Sequence, residues 1–177
     1  MQYFNDSDDY KHIMDSLMYH GNVEEWERFA ETIEGFPHGC DDFINRRWII
    51  NAIDCGVKGA VEWMLSKKVD LHFSDEEGRT VLISCLDRDK LDKYEILQLL
   101  IDHGADINLQ GWNDWTPLHM AGARNDLRAI KLLIDNGASQ TIKTRIDGYC
   151  TPEEESLVLG NAEAAELIRT YKAFAGK

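Results

Sequence analysis

The sequence predicts an all-α chain that repeats one helix–turn–helix unit, and three observations carry that reading. The block Leu99-Leu100-Ile101-Asp102-His103-Gly104-Ala105 returns 33 residues later as Leu132-Leu133-Ile134-Asp135-Asn136-Gly137-Ala138. Threonine opens successive segments at Thr80, Thr116 and Thr151, and proline follows it at Pro117 and Pro152. Within the best-formed unit, Leu118, Ala121, Ile130, Leu132, Leu133 and Ile134 recur at the spacing of helices with one apolar face. A unit this small cannot cover that face by itself, so a period of 20–50 residues implies that neighbouring units stack.

The elements follow in order. Asp9–His20 and Val23–Ile33 read as two helices split by Gly21-Asn22, and Gly35-Phe36-Pro37-His38-Gly39 stops the second. Trp48-Ile49-Ile50 with Ala52 starts a unit without the threonine, and its second helix is read at Gly59–Ser66. Thr80-Val81-Leu82-Ile83 starts the next. Thr80 to Thr116 is 36 residues, so three extra residues are placed at Asp87–Leu91, between that unit's two helices. Thr116 is suited to cap a helix whose first residue is Pro117, because a threonine oxygen accepts from an open N–H and proline there loses no needed donor. Gly104 and Gly137 follow their second helices, where a left-handed residue closes the turn, while the first unit has Lys68 in that place. Thr151-Pro152-Glu153-Glu154-Glu155 puts acids at the positive end of a helix. The last unit reads as polar, as a chain end facing water should be.

Thr116-Pro117-Leu118-His119-Met120-Ala121 is similar to the Thr-Pro-Leu-His-x-Ala signature of ankyrin repeats, whose period is 33 residues. With the two Leu-Leu-Ile blocks in register, the chain resembles the ankyrin-repeat family. The resemblance is strong over residues 74–143, fair over 41–73 and 144–172, and weak over 1–40. It implies an ankyrin-repeat solenoid. Residues 1–40 are then a helical cap, 41–73 a degenerate repeat, 74–109 and 110–143 full repeats, and 144–177 a capping repeat. The resemblance also implies a structural role for His119, bridging backbone groups of adjacent repeats. No histidine stands at the matching place beside Thr80.

Composition narrows the function. The chain has 177 residues, 44% hydrophobic and 29% charged, with a net charge of −13. Residues 1–45 carry eleven acids against two bases. Such a field repels nucleic acid and attracts basic surfaces. No apolar run is long enough to span a bilayer. The N-terminus has neither a basic start nor an apolar stretch, so a cytoplasmic protein is expected. Cys40, Cys55, Cys85 and Cys150 are far apart and read as reduced, mostly buried residues rather than a disulfide or zinc framework. His38 and Cys40 make at most half a metal site. Gly56-Val57-Lys58-Gly59 is too short for a phosphate loop. No catalytic, metal or cofactor constellation is found, and an enzyme is not expected.

Ankyrin repeats meet their partners through the turn tips and first helices, which line a concave face. By register the tips here are Phe43, Ile44 and Arg46; Ser74–Arg79; Gln110–Trp115; and Arg145, Asp147 and Tyr149. Asp54, Asp87, Arg88 and Arg124 lie at the far ends of the first helices. The expected partner-binding residues are Trp112, Asn113, Trp115, Arg79, Glu76, Glu77, Asp87, Arg88, Arg124 and Tyr149, with the tryptophans as anchors, since tryptophan is enriched at interface hot spots. Ankyrin-repeat proteins of this size occur beside bacterial toxins as immunity proteins. The resemblance therefore implies a protein-binding inhibitor or immunity protein for a basic partner. A scaffold or adaptor, and a protein that self-associates through its tryptophans, are the alternatives.

Overall fold

A computed structural model describes residues 7–172 except 42, 44 and 147. Ile44 and Asp147, singled out above, lie outside the described residues. The chain divides into two compact units, one of residues 1–70 with 88–92, the other of residues 71–87 with 93–177. All regular structure in both is helical among the described residues.

The first unit contains α1 (Ser7–Asp15), continued by a wider π turn over Ser16–His20, then α2 (Val23–Thr32), α3 (Trp48–Cys55) and α4 (Lys58–Ser66). The break between the expected cap helices falls at Gly21-Asn22. A Cβ on Gly21 would lie 2.3 Å from the Trp26 ring, so the turn needs glycine for close approach. Asn22 then caps α2, its side chain accepting from the Glu25 amide at 2.9 Å. The core is aromatic. Phe36 stacks on Trp63 with centroids 5.6 Å apart and meets Trp48 edge-on at 5.3 Å, while Trp26 lies 5.8 Å from Trp63. Such pairs add about 0.5–1.5 kcal/mol each beyond the area they bury. Ile49, Ile50, Ile53, Val61 and Met64 complete the core at 1% exposure or less.

One acid of the N-terminal segment is structural. Glu27 on α2 accepts from the Trp63 indole at 3.0 Å and from Lys67 at 2.6 Å, tying α2 to α4. The Lys67 ammonium, then the indole N–H, hold the Glu27 carboxyl below its ordinary range. Lys68 adopts a left-handed φ of 58° where the later repeats use glycine.

Residues 88–92, which overlap the expected insertion at Asp87–Leu91, belong to this unit and overturn one expectation. Arg88 does not stand on the surface; it is 4% exposed. Its guanidinium donates to the carbonyls of Ile53 and Gly56 and to the Asp92 carboxylate, the last at 3.0 Å. Lys90 donates to the Cys55 carbonyl at 2.7 Å. The last carbonyls of a helix have no partner within it and carry partial negative charge, so two cations set against the end of α3 satisfy both needs. Arg88 is therefore a helix-end clamp and is removed from the binding surface.

The second unit holds three helix pairs: α5 (Val81–Asp87) with α6 (Lys93–Asp102), α7 (Pro117–Ala123) with α8 (Leu127–Asp135), and α9 (Pro152–Val158) with α10 (Ala162–Thr170). Helix α7 packs against α5, α8 and α9. Leu82, Leu86, Ile96, Leu97, Leu100, Leu118, Ile130, Leu133 and Ile168 form its core. Gly122 is needed for packing, because a Cβ there would lie 2.2 Å from the Ser156 hydroxyl of the next repeat. Gly104 and Gly137 adopt φ of 89° and 93° after α6 and α8. The last repeat departs from the polar reading, since Leu157, Val158 and Leu159 are 54%, 73% and 47% exposed. Of the cysteines only Cys85 is buried; all four are free thiols.

Polar side chains join one repeat to the next and end on main-chain atoms. Asn161 donates to the Gly122 and Ala123 carbonyls at 3.1 and 2.7 Å. Asn125 and Asn108 accept from the amides of Ala164 and Ser139 at 3.1 and 2.8 Å. His119 does this most completely. Its Nδ1 accepts from the Thr116 amide at 3.1 Å, and its Nε2 lies 3.1 Å from the Cys150 carbonyl in the following repeat. An amide can only donate and a carbonyl can only accept, so the ring is neutral with its proton on Nε2. Thr116 caps α7 and Thr151 caps α9, each in a reciprocal capping box with the residue three further on.

Two predictions follow from these clamps. Burial holds the His119 imidazole below its ordinary value of 6.5. In the unfolded chain the ring gains a proton as pH falls through about 6.5, while the folded chain resists it, so His119's contribution to stability declines from there down to its folded value. His119→Ala is expected to cost about 1–3 kcal/mol at pH 7.5, with a smaller gap from wild type at pH 5, measured by urea unfolding. In the same assay Arg88→Ala should cost about 2 kcal/mol or more, whereas Arg124→Ala, from a half-exposed pair, should cost about 1 kcal/mol or less.

Candidate functional site

The site is built where two turn tips meet in the second unit. In the first tip the Asp75 carboxylate accepts from the amides of Glu77 and Arg79 at 3.0 and 2.7 Å, and Gly78 turns the chain at φ 74°. In the second tip Trp112–Asp114 form a single tight turn, with Asn113 and Asp114 at φ of 53° and 61°. Asparagine and aspartate accept that conformation more readily than most residues. The Gly78 carbonyl accepts from the Trp112 amide at 2.7 Å, joining the tips through their backbones. A Cβ on Gly78 would lie 2.7 Å from the Trp112 backbone, so only glycine permits this approach.

This junction sets the tryptophans. Trp112 is 50% exposed and Trp115 half-buried, their rings nearly perpendicular with centroids 5.4 Å apart. Beneath them, Ile83 on α5 with Met120 and Ala123 on α7 line the floor of a groove of about 430 Å³. Glu77 and Arg79 line it from the tip, and Asp87 and Arg124 from the far ends of α5 and α7. Each end is an ion pair: Arg79 Nε lies 2.8 Å from Glu77, and Arg124 contacts Asp87. The groove is thus apolar in the middle and balanced in charge.

A broader hollow of about 620 Å³ adjoins it and shares Trp112 and Glu77. It adds Glu76, Asn113 and Asp114, with Arg145 and Ile146 from the next tip. Arg145 grips the Asp114 carboxylate through its guanidinium at 2.6 and 3.0 Å. That bond, more than any other contact, holds the Asp114 carboxyl below its ordinary range.

Six of the residues expected from sequence therefore line one groove: Glu77, Arg79, Asp87, Trp112, Trp115 and Arg124. Glu76 and Asn113 line the adjoining hollow. Tyr149 is 65% exposed and lines neither. Arg88 belongs to the first unit, as described. The floor residues Ile83, Met120 and Ala123 were not anticipated. Met120 occupies the variable place in the Thr-Pro-Leu-His-x-Ala motif, and that was the available signal. The Asp114–Arg145 bond had no sequence signal beyond its spacing of 31 residues. Among the described residues no group of histidine, cysteine and acid side chains could hold a metal ion. Among them too, no helix is long and apolar enough to cross a membrane.

Comparison with known proteins agrees with the architecture. A family model described as ankyrin repeats in three copies matches residues 49–144. The Ankyrin repeat and KH domain-containing protein mask-1 of Caenorhabditis elegans is 34% identical over 98 residues, 55% of this chain and 4% of that protein. The B-cell lymphoma 3 protein homolog of Mus musculus is 31% identical over 119 residues, 67% of this chain and 25% of its own length. The RelA-associated inhibitor of Mus musculus is 30% identical over 125 residues, 68% of this chain and 14% of that protein. The chain spans a quarter or less of each of these relatives. Most of the helical structure lies inside the matched residues, and the chain belongs to the ankyrin-repeat family.

Proposed function

We propose that this chain is a binding module that seats a segment of a partner protein in the groove beneath Trp112 and Trp115. The observation that carries the reading is convergence. Six residues from two tips and two first helices line one groove, and a half-exposed tryptophan stands over an apolar floor. Desolvated aromatic residues ringed by polar groups are where interface energy concentrates. Charged residues of the groove pair with one another, and the reading assigns them no chemistry on a bound molecule.

Within this reading the chain acts by covering its partner, as an inhibitor or immunity protein. The net charge of −13 favours encounter with a basic surface. One relative is named as an inhibitor, which agrees with the same role. Four free thiols suit a reducing compartment such as the cytoplasm. An adaptor would need a second surface, and the exposed Leu157, Val158 and Leu159 supply one for that alternative.

The test is capture from native lysate by the tagged chain, at low and at high salt, beside its Trp112→Ala variant. A protein held by the wild type should be lost from the variant. In a purified pair the affinity should fall about thirtyfold, equivalent to roughly 2 kcal/mol, with far-ultraviolet circular dichroism unchanged. A partner held equally by both chains would put the interface elsewhere. Retention only at low salt would identify a basic partner drawn by charge, because salt screens that attraction.

A further inference from the structure

We infer, resting on the groove reading above, that the partner segment is an extended stretch carrying an apolar side chain and, close by, an arginine. The two adjoining hollows differ in chemistry. The groove sets two guanidinium groups against two carboxylates, so its net charge is zero and its floor is apolar. The adjoining hollow sets three carboxylates, Glu76, Glu77 and Asp114, against the single guanidinium of Arg145. Arg145 is committed to Asp114 and Arg79 to Glu77, which leaves Glu76 as the excess negative charge of the hollow that Trp112 lines.

Trp112 belongs to both hollows, and half its surface is open. An indole face attracts a cation, and a planar guanidinium stacks on it better than a lysine ammonium does. The same guanidinium can make two parallel hydrogen bonds to one carboxylate from its fixed fork. An incoming arginine is thus met by an aromatic surface and by the Glu76 carboxylate in one hollow. An apolar side chain placed beside it enters the groove, whose volume holds one large residue with room to spare. In an extended chain the side chains at i and i+2 face the same way, so a separation of roughly two residues fits both hollows.

The test uses a displayed library of random twelve-residue peptides selected on the full-length chain, followed by fluorescence-polarisation titration of the enriched peptides. Enriched sequences should place an apolar residue near an arginine. Changing that peptide arginine to alanine should weaken binding about tenfold on the wild type. On the Glu76→Gln chain the same change should cost less than twofold, since the acid it would pair with is gone. Enriched peptides without a basic residue, or an equal loss on both chains, would overturn the inference while leaving the groove in place, provided Trp112→Ala still abolishes binding. Peptides that bind Trp112→Ala at full strength would overturn the groove reading itself. Failure to enrich any peptide would overturn the inference alone, because capture of an intact partner tests the groove independently.

Discussion

A pair of helices seven to ten residues long cannot bury its own apolar face, and the rest of the molecule answers to that constraint. In the second unit α7 is covered by α5 on one side and by α9 on the other. Small residues at Ala121 and Gly122 let the helices close, and backbone groups enclosed between repeats must still find hydrogen-bond partners. Side chains supply several of them. His119, Asn125, Asn161 and Asn108 each reach across to a main-chain atom of the neighbouring repeat. The neutral state of His119 belongs to the same logic: one nitrogen faces an amide donor and the other a carbonyl acceptor, and a second ring proton would displace the Thr116 amide bond.

The site is a by-product of how those repeats are joined at their tips. Contact between Gly78 and Trp112 is made by the backbone, so it holds the second tip at a set distance from the first whatever the side chains are. Left-handed residues at Asn113 and Asp114 then turn the indole of Trp112 toward solvent. Asp114 is in turn fixed by Arg145 of the following tip. Three consecutive tips thus support one half-exposed ring.

Much of this was legible in the sequence, for stated physical reasons. The period, the caps at Thr116 and Thr151, the left-handed Lys68, Gly104 and Gly137, and the place of the insertion all depend on local backbone rules that one residue type reveals. Arg88 was misread because register alone put it on the first-helix wall. Nothing local tells that a chain of 32 to 35 residues folds back to set it against the end of α3. Glu27 stood in the sequence only as one of eleven acids in residues 1–45, its partners Trp63 and Lys67 being distant in sequence. The floor of the groove escaped notice because Ile83 and Met120 are nearly buried and look like core; only the joining of two tips above them makes them line an opening. The apolar end of α9 ran against the expectation of a polar terminus.

Several of the bonds that join the repeats finish on carbonyls and amides, and every residue but proline offers both. A substitution on the receiving side of such a bond leaves the atom in place. The residues facing the groove and those securing the stack are therefore largely separate sets, so the groove-facing residues are free to change while the scaffold stays the same. A single lineage built on this chain could follow a changing partner through successive replacements at the tips, with each intermediate still folded.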